Sequence, residues 1–346
     1  MWRGCTKVSE GCKHCYAETL SRRNPKTLGV WGPKGSRVIA SEKYWQQPLK
    51  WNKAAEAAGE RHRVFCASLA DVFEGDETMP EESRKPVHEA RARLFALIEE
   101  TPHLDWLLLT KRPENIEWVL RVTYTPTLAS LWHKLEHGYL PNVWLGASVE
   151  NQQTADERIP HLLKVPAVVR FLSCEPLLGT VELRAWIPAG AEVCEKPAGF
   201  DAMTEARQER IISNLARAVY ISRCEIGIHW VIVGGESGAG ARPMHPDWAR
   251  SIRDQCQAAK VPYFFKQWGE YLPFEEAGQA PFWIDQTGKE WDGHGLDIID
   301  PETGDIGKGW HEDSLHSDCA CKKVGKKLAG RLLDGREWNE MPEVAR

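Results

Sequence analysis

Three cysteines open the chain in the run G-C-T-K-V-S-E-G-C-K-H-C-Y-A, with Cys5, Cys12 and Cys15 spaced C-x6-C-x2-C. Three thiolates in one short loop can hold a metal centre. A cuboidal 4Fe–4S cluster takes four cysteines as a rule. With three, one iron keeps a position open for a small molecule. The alternative is a structural zinc ion, because C-x2-C is also half of a zinc site. Zinc needs a fourth protein ligand, and His14 is adjacent to Cys15, from where both rarely reach one ion. The C-x-C of Cys319 and Cys321, with His311 and His316 nearby, is the distant partner that would complete such a site. A disulfide is disfavoured: no secretion signal precedes the loop, and ten cysteines in such a chain suit reduced thiols. Cys66, Cys174 and Cys256 fall in apolar segments and read as buried thiols.

Charge is uneven around this loop. The net charge of −5 gives no global nucleic-acid signal. Yet Met1 to Lys50 carries ten Lys and Arg against three Glu. A basic rim beside a cluster suits an anionic substrate, a nucleic acid or nucleotide. Trp2, Trp31 and Trp45, among sixteen tryptophans, lie near the loop in sequence and could stack on a base or an adenine.

The elements that must position these residues follow a strand–helix rhythm. Strands are expected at 63–68, 105–110, 142–148, 168–173, 229–234 and 261–265. Helices are expected at 86–100, 114–122 and 155–164, and around Trp248, Ile252 and Cys256. Apolar strands alternating with helices imply an α/β fold whose parallel sheet is covered on both faces. No G-x-G-x-x-G opens the first unit, so a partial or complete TIM-like (β/α) barrel fits better than a dinucleotide-binding fold. Residues 187–227 break the rhythm and read as a helical insertion. From residue 271 the pattern changes again, to an α+β extension with a hairpin at 282–291 and a basic tail from Lys322 to Arg336. The expected division is therefore a barrel domain over 1–270 and a C-terminal extension over 271–346. No run of about 18 apolar residues suggests a membrane span, and a cytoplasmic location is expected.

Each strand ends in polar or glycine residues, and in parallel barrels the chemistry gathers at those ends. Ser68 and Asp71 follow the first strand. Lys111 and Arg112 follow the second and could hold a carboxylate or phosphate. Ser148 and Glu150 follow the third and could reach a ribose hydroxyl. Glu175 follows the fourth, before Pro176. Gly234, Gly235 and Glu236 form a glycine-rich loop after the fifth, with Arg242 beyond it. Lys266 and Gln267 follow the last.

Several blocks together resemble one family: the cysteine loop, F-L-S-C-E-P-L-L-G at 171–179, V-I-V-G-G-E-S-G at 231–238 with A-R-P-M after it, F-F-K-Q-W-G at 264–269 and A-G-R-L-L-D-G-R-E-W at 329–338. They resemble the phage-associated three-Cys-motif proteins, a family of unknown function similar to radical SAM enzymes. The resemblance spans most of Met1 to Trp186 and His229 to Pro342. It implies an enzyme with a 4Fe–4S cluster on Cys5, Cys12 and Cys15. That enzyme would cleave S-adenosylmethionine reductively, with Ser68, Asp71, Lys111, Ser148, Glu150, Glu175, Gly234, Gly235, Glu236 and Lys266 around the cofactor. It also implies a gene-neighbour partner protein. Three features depart from the radical SAM pattern. The first cysteine gap is six residues instead of three. Only Met1 to Gly4 precede Cys5, where a strand is expected. The Gly234-Gly235-Glu236 sequence follows a late strand instead of the second. The rival reading is a zinc-stabilised module that binds nucleic acid or a partner without catalysis.

Overall fold

The computed structural model describes residues 1–122, 142–187, 227–273 and 321–343, and the backbone of short strands at 283–284, 290–291, 297–299, 306–308 and 319–320. Most of the expected insertion, residues 188–226, lies outside the described residues, as do His311 and His316.

Six strands form one parallel sheet: β1 (His62–Cys66), β2 (Leu104–Thr110), β3 (Val143–Ser148), β4 (Val169–Cys174), β5 (Trp230–Gly234) and β6 (Tyr263–Gln267). They are ordered as in the sequence, each paired with the next. The sheet curls into a half-barrel and β1 does not pair with β6, so the barrel is partial. The free edge of β6 is covered by the chain's end: Phe265 N donates to Trp338 O at 3.0 Å and Glu340 N to Tyr263 O at 3.2 Å. Such cover removes an open edge that would otherwise recruit other strands.

The central strands β3, β4 and β5 are buried at every residue and are mostly apolar, while the edge strand β1 is partly exposed and carries His62 and Arg63. Trp106, Leu108, Leu145, Leu172 and Val233 point to the helix side and join the main core. Leu107, Trp144, Phe171, Trp230 and Ile232 point inward and form a second cluster. Gly146 makes that inner layer possible: a Cβ there would lie 2.3 Å from the Phe171 ring.

The helix side is built from α2 (Gln47–Ala58), α3 (Glu81–Glu100), α4 (Ile116–Val122), α5 (Gln152–Leu163) and α6 (Pro246–Ala258), with α1 (Tyr16–Arg23) directly after the cysteines. Helix α3 begins five residues before the expected position, with Glu81 and Glu82 in its first turn and Pro86 inside it. The acids suit the positive end of the helix dipole, and Pro86 removes one backbone hydrogen bond without ending the helix. Helices α1 and α2 carry no strong sequence signal and were not expected.

The change of pattern at residue 271 coincides with a strand, Tyr271–Pro273, in a four-stranded sheet with 297–299, 306–308 and Cys319–Lys323. The expected hairpin is present, with Trp283–Ile284 antiparallel to Glu290–Trp291. Cys321, Ala329, Leu333 and Trp338 pack into the main core. Among the described residues no helix is long and apolar enough to cross a membrane.

Candidate functional site

The cysteine loop lies across the C-terminal ends of the strands. Gly4 N donates to Leu69 O at 3.0 Å, joining the loop to the segment after β1. Gly4 has φ +106°, which permits the turn, and a Cβ there would meet Ser36 O at 2.6 Å. A short 3-10 turn over Glu10–Cys12 then leads to Cys15, which caps α1. Tyr16 Oη donates to Ser68 O at 2.8 Å and fixes the start of that helix.

Three arginine–carboxylate pairs seat this loop. After β2, Arg112 Nη1 donates to Asp71 Oδ2 at 2.8 Å, while Arg112 Nη2 donates to Thr6 O at 2.6 Å and Nη1 lies 3.8 Å from Cys5 Sγ. After β3, Arg158 Nη1 donates to Glu150 Oε2 at 2.8 Å, and Glu150 Oε1 accepts from Ser9 Oγ at 2.9 Å and from Lys111 Nζ at 3.0 Å. After β5, Arg242 grips Glu236 with Nε and Nη2, each at 2.8 Å, and reaches Glu10 O at 3.0 Å. A fourth pair lies beneath: Arg37 holds Glu74 at 2.7 and 2.8 Å, and Glu74 Oε1 accepts from Thr6 N at 3.0 Å. Charge-assisted bonds of this kind are among the strongest a protein offers, and the Arg242–Glu236 and Arg37–Glu74 pairs are two-pronged. They hold the loop against three different strand ends.

The packing is as close as the bonding. A Cβ on Gly11 would lie 2.5 Å from the Glu150 side chain, and one on Gly240 2.6 Å from His14 Nδ1. Both glycines let the loop settle onto its neighbours.

Under the loop is a cavity of about 590 Å³, within the range of small-molecule sites. Cys5, Cys12 and Cys15 all line it. From the strand ends it is lined by Ser68, Asp71, Lys111, Arg112, Ser148, Glu175, Gly235, Glu236, Lys266 and Gln267. Phe65 and Leu109 form an apolar part of the wall. Of the residues expected around a cofactor, Glu150 and Gly234 do not line it. Glu150 is buried beneath the loop, and Gly234 backs onto Glu175, whose Oε1 lies 2.6 Å from where its Cβ would stand. Trp2 and Trp45 are core residues; Trp31 lines the cavity.

The carboxylates differ in availability. Asp71 is saturated: Oδ1 accepts from Thr110 Oγ1 at 2.7 Å and Phe73 N at 3.0 Å, and Oδ2 from Arg112. Glu236 and Glu150 are occupied by Arg242 and Arg158. Glu175 remains turned to the cavity, bonded to Ser173 Oγ at 3.0 Å and paired with Lys266 Nζ at 2.9 Å. The groups available to a ligand are therefore the Glu175–Lys266 pair, Lys111, and the hydroxyls of Ser68, Ser148 and Ser173.

The thiols are free and half-buried. Burial, with Asp71 and Glu74 adding to it, pushes the Cys5 thiol up to about 12 against the pull of Arg112. Burial also raises Cys15, opposed by the backbone N–H groups of Glu18 and Ala17 at the start of α1. Metal coordination at such thiols displaces their protons. Among the described residues no three His, Cys, Asp or Glu side chains converge as the ligands of a single metal ion would. The three cysteines share the wall of the cavity. Cys321, one of the expected distant zinc partners, is buried in the main core and does not line the cavity.

Sequence reasoning missed Arg37, Glu74, Arg158 and Ser173. Arg158 carried a signal: it shares the buried stripe of α5 with Ala155, Ile159 and Leu162, and an arginine on an apolar face needs a buried partner. Arg37 and Glu74 carried none.

A family model described as "Protein of unknown function (DUF5131)" matches residues 1–342, and the chain belongs to that family. No curated protein matches it. Among solved structures, a variant of spore photoproduct lyase is similar with a TM-score of 0.35 at 11% identity, covering 91% of this chain and 68% of that one. Spore photoproduct lyase complexed with dinucleoside spore photoproduct gives 0.35 at 10% identity with the same coverage. At these scores neither similarity extends to substrate or reaction.

Proposed function

We propose that the chain holds a 4Fe–4S cluster on Cys5, Cys12 and Cys15, binds S-adenosylmethionine in the adjoining cavity and acts on a nucleic-acid or nucleotide substrate. The observation that carries this reading is the meeting of three free thiols and the polar ends of a parallel half-barrel in one cavity. The chemistry a cluster supplies in that seat is one-electron reduction of the sulfonium, with the electron from an external donor, to methionine and a 5′-deoxyadenosyl radical.

The chain's own residues bind and orient. Glu175 and Lys266 offer one charge of each sign to an amino-acid moiety, and Ser68, Ser148 and Ser173 offer hydroxyls. Lys111 faces the cavity and Gly235 keeps its wall close. Phe65 and Leu109 offer an apolar wall on one side. Asp71, Glu150 and Glu236 work through Arg112, Ser9 and Arg242 on the cysteine loop, as positioning residues.

The test is reconstitution without oxygen, followed by product analysis after dithionite reduction with S-adenosylmethionine. Iron and sulfide together, and 5′-deoxyadenosine with methionine, are the expected results. Stoichiometric zinc without iron, or no 5′-deoxyadenosine and no calorimetric binding of S-adenosylmethionine, overturns the reading in favour of a metal-stabilised binding module.

A further inference from the structure

The basic tail of the sequence folds back onto the mouth of the cavity. Lys326 opens a four-residue helix, α7 (Lys326–Ala329), and lines the same cavity as the three cysteines. Its position is fixed by the fold. Val324 N and Gly325 N both donate to Glu270 O at 3.0 Å, Trp268 N donates to Gly330 O at 3.1 Å, and Ala329 is a core residue. Lys323 is tied inward, with Nζ donating to Ala239 O at 2.6 Å. Lys326 and Lys327 are exposed and have no acidic partner among the described residues. Trp31 also lines the cavity, and Lys34, three residues on, is exposed and has no acidic partner among the described residues.

We propose that these residues receive a single-stranded nucleic-acid segment, with its phosphates at Lys326, Lys327 and Lys34 and one base entering the cavity beside Trp31. The inference deepens the proposed function by naming the substrate class for the same cavity. Exposed cations without counter-charges favour a polyanion, whose condensed counterions are released on binding. An indole at the mouth supplies the stacking face that single-strand sites use. A cavity of about 590 Å³ admits one base, so a base inside a duplex would first have to leave its stack.

The experiment is fluorescence anisotropy on the full chain, both unaltered and as the metal-free Cys5→Ser/Cys12→Ser/Cys15→Ser variant. The probes are labelled oligonucleotides of about 12 nucleotides: single-stranded DNA, RNA of the same sequence, and the DNA duplex. Salt is varied from about 50 to 200 mM. The expected result is binding of DNA or RNA single strands by both proteins, with a log–log salt slope of about −2 for three phosphates. Lys326→Glu/Lys327→Glu should weaken binding about tenfold or more and flatten that slope, and Lys326→Gln/Lys327→Gln should do so less. Trp31→Ala should weaken it at least about fivefold with the slope retained. Lys164→Glu, exposed at the opposite end of the strands, should change nothing. No binding at the lowest salt, duplex bound as well as single strands, or binding indifferent to the Lys326 and Trp31 variants would each overturn the proposal. Strand binding by the cysteine-free variant needs no cluster, so this inference and the reductive reading fail separately.

Discussion

Ser9 and Glu150 lie 141 positions apart, and Ser9 Oγ donates to Glu150 Oε1 at 2.9 Å. That bond joins the cysteine loop to the end of the third barrel strand. Glu150 is 1% exposed and is shared by Ser9, Lys111 and Arg158. It therefore governs where the loop sits without touching a ligand in the cavity.

Glu150→Gln should lower stability by about 3 kcal/mol at pH 7, because Arg158 and Lys111 lose their buried counter-charge. Burial pushes the Glu150 carboxyl up, but Lys111 and Arg158 outweigh it and hold it below its ordinary 4.5. A depressed carboxyl stabilises fully above its ordinary value and loses that contribution as pH falls through the depressed one. The melting-temperature gap between wild type and Glu150→Gln should therefore be complete at neutral pH and close on acidification below about 4.5. A gap that is constant with pH would contradict this account of the residue.

Arg242→Ala should cost about 2 kcal/mol, since it strips Glu236 of its partner and frees Glu10. In the metal-free protein, iodoacetamide should alkylate Cys12 severalfold faster. After reconstitution, iron should be lost faster to a chelator. Arg242→Lys keeps the charge but not the two-pronged geometry, and should fall between.

Cys5→Ala, Cys12→Ala and Cys15→Ala should each abolish the brown colour and the sulfide content of the reconstituted protein. Cys66→Ala should retain both. Its thiol is buried in the main core and does not line the cavity that the other three share. Retained iron in any of the first three variants would remove that cysteine from the ligand set.

Gly235→Ala should destabilise the apo protein by about 2 kcal/mol or more, because its Cβ would lie 1.9 Å from the backbone oxygen of Trp268. The glycine is required by the approach of two strand-end loops. Gly179→Ala, whose Cβ would meet nothing nearer than 3.4 Å, should stay within about 0.5 kcal/mol of wild type by denaturant titration.

The central strands were legible in the sequence because a strand buried on both faces must be largely apolar, a condition met within five or six neighbouring residues, and the edge strands by their place in the strand–helix rhythm. The polar strand ends and the cysteine triplet were legible for the same local reason. What each polar end does was not. Asp71, Glu150 and Glu236 looked alike as carboxylates at the rim, yet each is taken by an arginine and serves the cysteine loop, while Glu175 faces the cavity beside Lys266. Those roles depend on contacts that span 106 positions from Thr6 to Arg112, 141 from Ser9 to Glu150 and 232 from Glu10 to Arg242. No local propensity specifies them. They are decided by the curl of the sheet, which brings the strand ends together, and by the burial that makes an unpaired carboxylate too costly to leave alone.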